Sequence, residues 1–137
     1  MDSIDEQIFE NLKEIANRLF ILKKRIALRN GLSLCEANIL CLVTSCEPIM
    51  QSRLGELCGI DKPATSRVVN KLLCSGFIEK FNKEDNKKNI FIRLSQPGVD
   101  LSNKMRAELC VEKTNFFKLL SHKDKEIALK LSSKVLS

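Results

Sequence analysis

The residues best suited to chemistry lie together in residues 61–74, DKPATSRVVNKLLC. On a helix that turns 100° per residue, Pro63, Ser66, Arg67 and Asn70 share one face, opposite the apolar side chains. An arginine guanidinium can bind guanine through two hydrogen bonds, and an asparagine amide can bind adenine in a similar way. This face therefore has the side chains needed to read base edges in the major groove of DNA.

Other side chains near this face suit phosphate oxygens, which fix the position of a protein on DNA without reading its sequence. Ser52, Ser66 and Lys71 are predicted to make such contacts. The following NKEDNKK loop, residues 82–88, is cationic enough at its tip to reach the minor groove or the backbone. The complete predicted DNA-binding set is Gln51, Ser52, Arg53, Lys62, Pro63, Ala64, Ser66, Arg67, Asn70, Lys71, Lys87 and Lys88.

The elements that position these residues follow from capping residues and apolar spacing. Ser33 and Glu36 have the spacing of a capping box, and Asp61 is a favourable N-cap for the helix that carries Arg67. A short helix over 51–58 precedes it, with Leu54, Leu57 and Ile60 expected to face inward. The segments FIEKF and NIFIRL then predict two strands on either side of the cationic loop. Two helices with a short connection, followed by a hairpin, indicate a winged helix-turn-helix.

Long apolar stripes lie outside this unit. The first, over 4–29, predicts a helix of about 38 Å at 1.5 Å per residue. A second long helix is expected over 99–120, and Ser121 with Asp124 starts a final one whose Ile127, Leu131 and Val135 point inward. The stripes are too wide to be buried by one small lobe, so a two-fold homodimer is expected. Its predicted interface residues are Leu12, Ile15, Leu19, Phe116 and Leu120.

Composition limits the class of protein. The 137 residues suffice for one domain, and a formal net charge of +6 favours an anionic partner. One histidine, no tyrosine, no tryptophan and no glycine-rich phosphate loop leave no catalytic set, so we expect neither an enzyme nor a cofactor or metal. The chain has an acidic start and lacks an apolar run of ~20 residues. These features predict a cytoplasmic protein without membrane contact.

Six cysteines, at positions 35, 41, 46, 58, 74 and 110, contain no C-x-x-C pair, and His122 is the only histidine. This spacing does not suit a zinc site, and free cysteines are usually small buried hydrophobic residues. That interpretation is favoured for most of them. A redox-sensing regulator is the alternative, with Cys35, Cys41 and Cys74 as its candidate residues.

The segment LGELCGIDKPATSRVVNKLLCSGFIEKFNKEDNKKNIFIRLSQPG resembles the core of MarR-type (multiple-antibiotic-resistance regulator) transcription factors. The matching positions are Leu54, Gly55, Leu57, Ile60, Thr65, Ser66, Arg67, Leu72, Gly76, Phe77, Ile78, Leu94, Ser95 and Gly98. The resemblance implies a mainly α fold with a small β-hairpin wing. It also implies one domain over 1–137, with a winged-helix lobe at 33–96 between dimerisation helices at 1–30 and 99–137.

The chain departs from the family pattern in two places. The aspartate and arginine of the family's wing fall on Asn86 and Lys88, although Asp85 could replace the aspartate. Since a lysine ammonium grips a narrow groove less well than a guanidinium, the wing is expected to add affinity more than sequence preference. Gly55 stands where the family commonly has alanine, which costs about 1 kcal/mol of helix propensity.

The resemblance implies an effector-responsive repressor that binds a palindromic operator in double-stranded DNA as a homodimer, with an effector cleft beside the dimer helices. The trigger stays open among a small aromatic acid, an oxidant and a metal, of which the metal is least supported because the chain has one histidine. The operator and the sign of regulation also stay open. A winged-helix protein-interaction module is the alternative of another class. The basic outer face argues against it, because a protein-binding face would be more apolar.

Overall fold

The computed structural model describes residues 3–43, 47–83 and 86–137, with the backbone alone for residues 86 and 87. These residues form a mainly helical fold with one small sheet, as predicted. The elements in chain order are α1 (Ile4–Arg29), α2 (Leu34–Leu42), β1 (Ile49–Met50), α3 (Gln51–Cys58), α4 (Lys62–Cys74), β2 (Ile78–Lys83), β3 (Asn86–Leu94), α5 (Gln96–Phe116) and α6 (His122–Leu136).

The predicted helix starts are confirmed by their caps. The Ser33 hydroxyl accepts a hydrogen bond from the Glu36 backbone N–H, and the Glu36 side chain reaches back to the Ser33 N–H. Ser121 and Asp124 form the same capping box at α6. At α4, an Asp61 carboxylate oxygen accepts from the Ala64 N–H at 2.8 Å. These bonds satisfy N–H groups that the helix itself leaves without partners.

The sheet has three antiparallel strands in the order β1-β3-β2, one more than the predicted hairpin. The additional strand, Ile49–Met50, pairs with β3 so that Ile49 lies opposite Ile92. In the wing, β2 and β3 pair Phe81 with Phe91. Because β1 leads directly into α3, the third strand ties the start of the helix-turn-helix to the wing.

Two predicted helix boundaries were wrong. The sequence predicts that Glu47-Pro48 breaks the second helix, but α2 ends earlier, at Leu42, with extended backbone at Val43. α5 begins at Gln96 and ends at Phe116, whereas the prediction placed it at 99–120. Ser95 caps this helix, and proline is tolerated in its first turn because a first-turn N–H has no intrahelical acceptor.

The core lies within the lobe over 33–96 and between this lobe and helices α1 and α5. Its buried apolar residues are Leu22, Ile26, Ala27, Leu32, Ala37, Ile39, Leu40, Val43, Leu54, Val69, Leu72, Ile78, Ile92 and Met105. The prediction that Leu57 faces inward is wrong, since Leu57 is 47% exposed. The buried face of α3 is centred between Leu54 and Gly55, and Leu57 lies about 110° from that centre at 100° per residue.

The terminal helices are much more exposed. The exposed part at the N-terminus is residues 3–18, which are Ser3 and the first half of α1. The exposed part at the C-terminus is residues 117–137, which include all of α6. Ile127, Leu131 and Val135, predicted to point inward, are exposed in the single chain. No helix in the described residues is both long enough and apolar enough to cross a bilayer.

Candidate nucleic-acid interface

α3 and α4 are held together by a tight turn. Gly59 adopts φ 68°, and the Ile60 N–H donates to the Gly55 carbonyl at 3.0 Å. A Cβ on Gly55 would lie 2.5 Å from the Thr65 hydroxyl oxygen, which itself donates to the Asp61 carbonyl. The glycine at position 55 therefore allows the two helices to approach closely, a role that its helix propensity alone did not reveal.

α4 has the two faces that the sequence predicted. Thr65, Val69 and Leu72 are buried on one side. Lys62, Pro63, Arg67 and Asn70 are exposed on the other. Among the described residues, the Arg67 guanidinium has no hydrogen-bond or ion-pair partner, so all its donors are available to a ligand.

A groove of about 640 Å³ brings three elements of the predicted site together. We call it the α3–α4–wing groove. It is lined by Gln51 and Ser52 from α3, Lys62 and Ser66 from α4 and Lys88 from β3. Thr65 and Asn89, which were not among the predicted DNA-binding residues, also line it. Five of the predicted residues, from two helices and the wing, therefore share one concave surface, whereas Arg67 and Asn70 do not line it.

Several of the predicted DNA-binding residues already have partners within the chain. Lys71 lies 3.2 Å from Glu36 of α2, and Arg53 lies 3.1 Å from Glu56. The Asn70 side-chain oxygen accepts from Lys80 of β2 at 3.3 Å. Ala64 is half-buried on α4, and the Lys87 side chain lies outside the described residues. The predicted set thus divides into available residues such as Arg67 and residues with internal partners.

The wing is stabilised by a row of charged and aromatic side chains on its outer face. Arg93 Nε lies 2.7 Å from Glu79 Oε2, and its guanidinium lies 4.8 Å from the centre of the Phe81 ring. The Phe81 and Phe91 rings stack with centroids 5.9 Å apart, and Lys83 lies 4.4 Å above Phe91. Asp85, the expected partner for a wing cation, lies outside the described residues. The Glu79–Arg93 pair instead supports the base of the hairpin.

The lobe is joined to α5 at a close contact. A Cβ on Gly98 would lie 1.9 Å from the Phe77 carbonyl oxygen, so only glycine fits there. Ser95 donates its hydroxyl proton to the Gly76 carbonyl and its N–H to the Phe77 carbonyl, the latter at 3.1 Å. Further along α5, Arg106 donates to the Cys41 carbonyl at the end of α2 at 3.0 Å. The lobe is therefore in contact with α5 at two places, one at the start of α5 and one near its middle.

The candidate redox cysteines have different surroundings. Cys35 and Cys41 are partly buried and Cys74 is exposed at the end of α4. Burial raises the pKa of the Cys41 thiol, against smaller opposing effects of Arg106 and Lys23. Burial, together with the neighbouring Cys35, also raises the pKa of Cys58. A raised pKa disfavours the reactive thiolate, so Cys41 is poorly suited to sensing oxidants.

Glu36, Lys80 and Arg93 contact the site or support it, yet the sequence did not point to them. Glu36 was assigned only its local role in a capping box. Its pairing with Lys71 joins helices far apart in the chain, and no spacing rule reports such a contact. The pairing of Glu79 opposite Arg93 does follow from the strand register once the hairpin is aligned.

The α3–turn–α4 unit, with its antiparallel wing and exposed cationic face, defines a winged helix-turn-helix protein. Residues 32–90 match the family model described as MarR family. An uncharacterized HTH-type transcriptional regulator of Bacillus subtilis, YhjH, is 33% identical over 73 residues, which are 53% of this chain and 42% of that protein. This chain therefore spans less than half the length of that relative.

Solved structures extend the likeness in fold to the whole chain. Wild-type MarR from E. coli, in its apo form, has a TM-score of 0.80 at 16% identity, covering 100% of this chain and 98% of that one. A mutant of E. coli MarR complexed with operator DNA has a TM-score of 0.75 at 16% identity, covering 99% and 100%. Over residues 32–90 this chain is similar to the MarR family, and over its whole length it shares the fold of these MarR structures.

Proposed function

We propose that this chain is a sequence-specific DNA-binding regulator that binds a palindromic operator in double-stranded DNA as a homodimer. The observation that carries the proposal is the exposed face of α4, where Arg67 has no partner among the described residues and Lys62 and Asn70 flank it. An arginine held on a helix without an internal partner keeps all its donors for guanine.

The size and charge of this surface support the proposal. An α-helix with its side chains is about 10–12 Å across, and the major groove of B-DNA is about 12 Å wide. In the bound arrangement we propose, Arg67 and Asn70 contact base edges while Ser52, Ser66 and Lys62 contact phosphates. Lys88 follows the neighbouring minor groove or backbone. The formal net charge of +6 favours the approach of the chain to DNA.

Homodimerisation is supported by the exposed apolar residues of the terminal helices. Leu12 is 52% exposed, Ile15 43% and Leu120 38%, while Leu19 and Phe116 are partly buried beside them. A groove of about 680 Å³ between α1 and α5, lined in part by Ile15 and Phe116, is open to a second subunit. A two-fold dimer presents two copies of α4, which requires two symmetric half-sites.

Repression and effector control are the finer parts of the proposal, and they rest on the similarity of residues 32–90 to the MarR family. A dimer that occupies an operator excludes polymerase from the same DNA, so binding alone would repress. An effector that favours a different spacing of the two α4 helices would release the operator, because it shifts the population away from the DNA-binding form. The proposed site of action is the cytoplasm.

A selection from a random-sequence duplex library tests the DNA-binding proposal. We expect the purified chain to enrich one sequence with two-fold symmetry and half-sites about 10 base pairs apart, or a multiple of that spacing. The logarithm of its affinity should fall linearly with the logarithm of salt concentration. Failure to enrich any duplex, at low salt and with a confirmed dimer, would favour the protein-interaction module instead.

A further inference from the structure

Glu36 has two roles that involve different helices. As the third residue of α2 it accepts a hydrogen bond from the Ser33 N–H at 3.2 Å, which completes the capping box. The same carboxylate oxygen, Oε1, lies 3.2 Å from the Lys71 ammonium nitrogen on α4. Glu36 is 3% exposed, so its carboxylate lies in the protein interior between the two helices.

The Lys71 side chain runs over the surface to reach this carboxylate. Its side chain is 69% exposed, but its ammonium group lies against a carboxylate whose side chain is only 4% exposed. Arg67, on the exposed face of α4, has no partner among the described residues. Lys71 therefore differs from Lys62, at the other end of α4, which has no partner among the described residues.

The pair is difficult to break. A buried carboxylate that loses its cation keeps the cost of burial without the compensating attraction. Burial raises the pKa of Glu36, but the hydrogen bonds from Ser33 and the hydrogen bond and charge of Lys71 together lower it below its ordinary value. The carboxylate is thus ionised at neutral pH, and a phosphate that attracted Lys71 would have to compete with it.

We propose that Glu36 is a positioning residue that holds Lys71 away from DNA and fixes the C-terminal half of α4 against α2. This inference rests on the proposed DNA-binding function. It replaces the sequence-based prediction that Lys71 contacts phosphate. Lys71 then contributes to operator affinity through the orientation of α4, which sets where Arg67 meets the bases.

Salt dependence separates a positioning lysine from a phosphate-binding one. Each phosphate neutralised contributes about 0.9 to the slope of log affinity against log salt. With the duplex that the wild type enriches as the probe, Lys71→Gln should weaken binding and leave this slope unchanged. Lys62→Gln is the matched control on the same helix, and it should lower the slope by about one. A loss of about one in the Lys71→Gln slope as well would overturn the proposal.

Glu36→Gln provides a second test, because the two explanations of the pair predict changes in DNA affinity of opposite sign. Glutamine retains the capping-box hydrogen bond but removes the charge. If Glu36 positions α4, this variant should bind the selected duplex roughly tenfold more weakly, a loss of about 1.4 kcal/mol. If Lys71 instead serves phosphate and Glu36 only competes for it, the variant should bind more tightly and with a steeper salt slope. Tighter binding would therefore refute the proposal.

Urea unfolding of the two single variants and the double variant measures the pair without DNA. We expect strong non-additivity, with Lys71→Gln the least stable because it leaves a buried charge, and the double variant partly restored. Additive changes would overturn the pairing itself. If the pair is coupled but the wild type binds no duplex, the proposed function fails while the contact between Glu36 and Lys71 stands. If the wild type binds its duplex but the changes are additive, the positioning role alone fails.

Discussion

Leu54 and Ile92 of the lobe over 33–96 have no exposed surface, whereas Leu12 of α1 and Leu131 of α6 are 52% and 57% exposed. All four are large aliphatic residues on regular elements. The lobe buries its apolar residues between α2, α3, α4 and the sheet of the same chain. Residues 3–18 and all of α6 are exposed instead, because no described residue of the same chain covers them.

This difference shows which part of the molecule is complete in a single chain. The lobe has capped helices, a closed core and a wing held by its own side chains, so one copy suffices to shape the α4 surface. In the homodimer that we propose, the second subunit would remove the apolar side chains of the terminal helices from water. The two regions meet where Ser95 and Gly98 contact the turn at Gly76 and Phe77, and again where Arg106 donates to the Cys41 carbonyl.

The largest effect is expected at that junction. Gly98→Ala places a Cβ 1.9 Å from the Phe77 carbonyl oxygen, and neither backbone can yield without moving α5 from the lobe. We expect a loss of about 3 kcal/mol in the free energy of unfolding, measured in urea. Gly31→Ala is the matched control, since Gly31 has φ 75° but open space around it, and it should lose only about 1 kcal/mol. Equal losses would show that packing at the junction does not matter.

The next largest effect concerns assembly. Leu12→Glu introduces a charge into the proposed interface of each subunit, so the dimer dissociation constant should rise about 100-fold or more. Leu57→Glu is the control, because Leu57 has a similar exposure, 47% against 52%, but lies on the lobe. It should leave the dissociation constant unchanged. Light scattering and sedimentation over a dilution series measure both, and a monomeric wild type at micromolar concentration would contradict the contrast.

Local rules predicted much of the fold. The caps at Ser33, Asp61 and Ser121 were readable because an N-cap and its partner lie three residues apart. The end of α2 and the strand Ile49–Met50 were not readable. A two-residue strand exists only because it pairs with β3, which is distant in the sequence.

The sequence predicted those residues of the candidate site that lie on one face of a single helix. Arg67 and Asn70 share the exposed face of α4 because helical geometry requires it. The internal partners of Lys71 and Asn70 could not be predicted, since Glu36 and Lys80 reach them from other elements. Sequence spacing therefore finds side chains that face solvent but does not tell which of them are already paired.

A smaller effect should appear in the pH dependence of lobe stability. Because the pKa of Glu36 is lowered on folding, its stabilising contribution is present above the ordinary value of 4.5 and is lost as pH falls through the folded value. Glu36→Gln should therefore cost about 1 kcal/mol at pH 7, and the difference from wild type should shrink below pH 4.5. The midpoints of urea unfolding of the variant and the wild type, measured at several pH values from about 3 to about 7, give this difference. A difference independent of pH would exclude an ionic role.

The smallest effect is expected from cysteine oxidation. Cys41 is partly buried with a raised pKa, so peroxide treatment should leave DNA affinity unchanged, and dithiothreitol should have nothing to restore. Fluorescence anisotropy before and after treatment measures this, with thiol counting to establish oxidation. A reversible loss of binding would instead support a redox-sensing regulator, and Cys35→Ser and Cys74→Ser would then locate the sensor.

The central claim is that the complete surface of α4, rather than charge alone, selects the DNA sequence. Binding of Arg67→Ala and Lys88→Ala to the selected duplex and to a scrambled duplex, at several salt concentrations, tests it most directly. Arg67→Ala should lose about 1–3 kcal/mol on the selected duplex and far less on the scrambled one. Lys88→Ala should weaken both alike and lower the salt slope by about one. Equal losses of Arg67→Ala on both duplexes would contradict the claim that α4 reads bases through this residue.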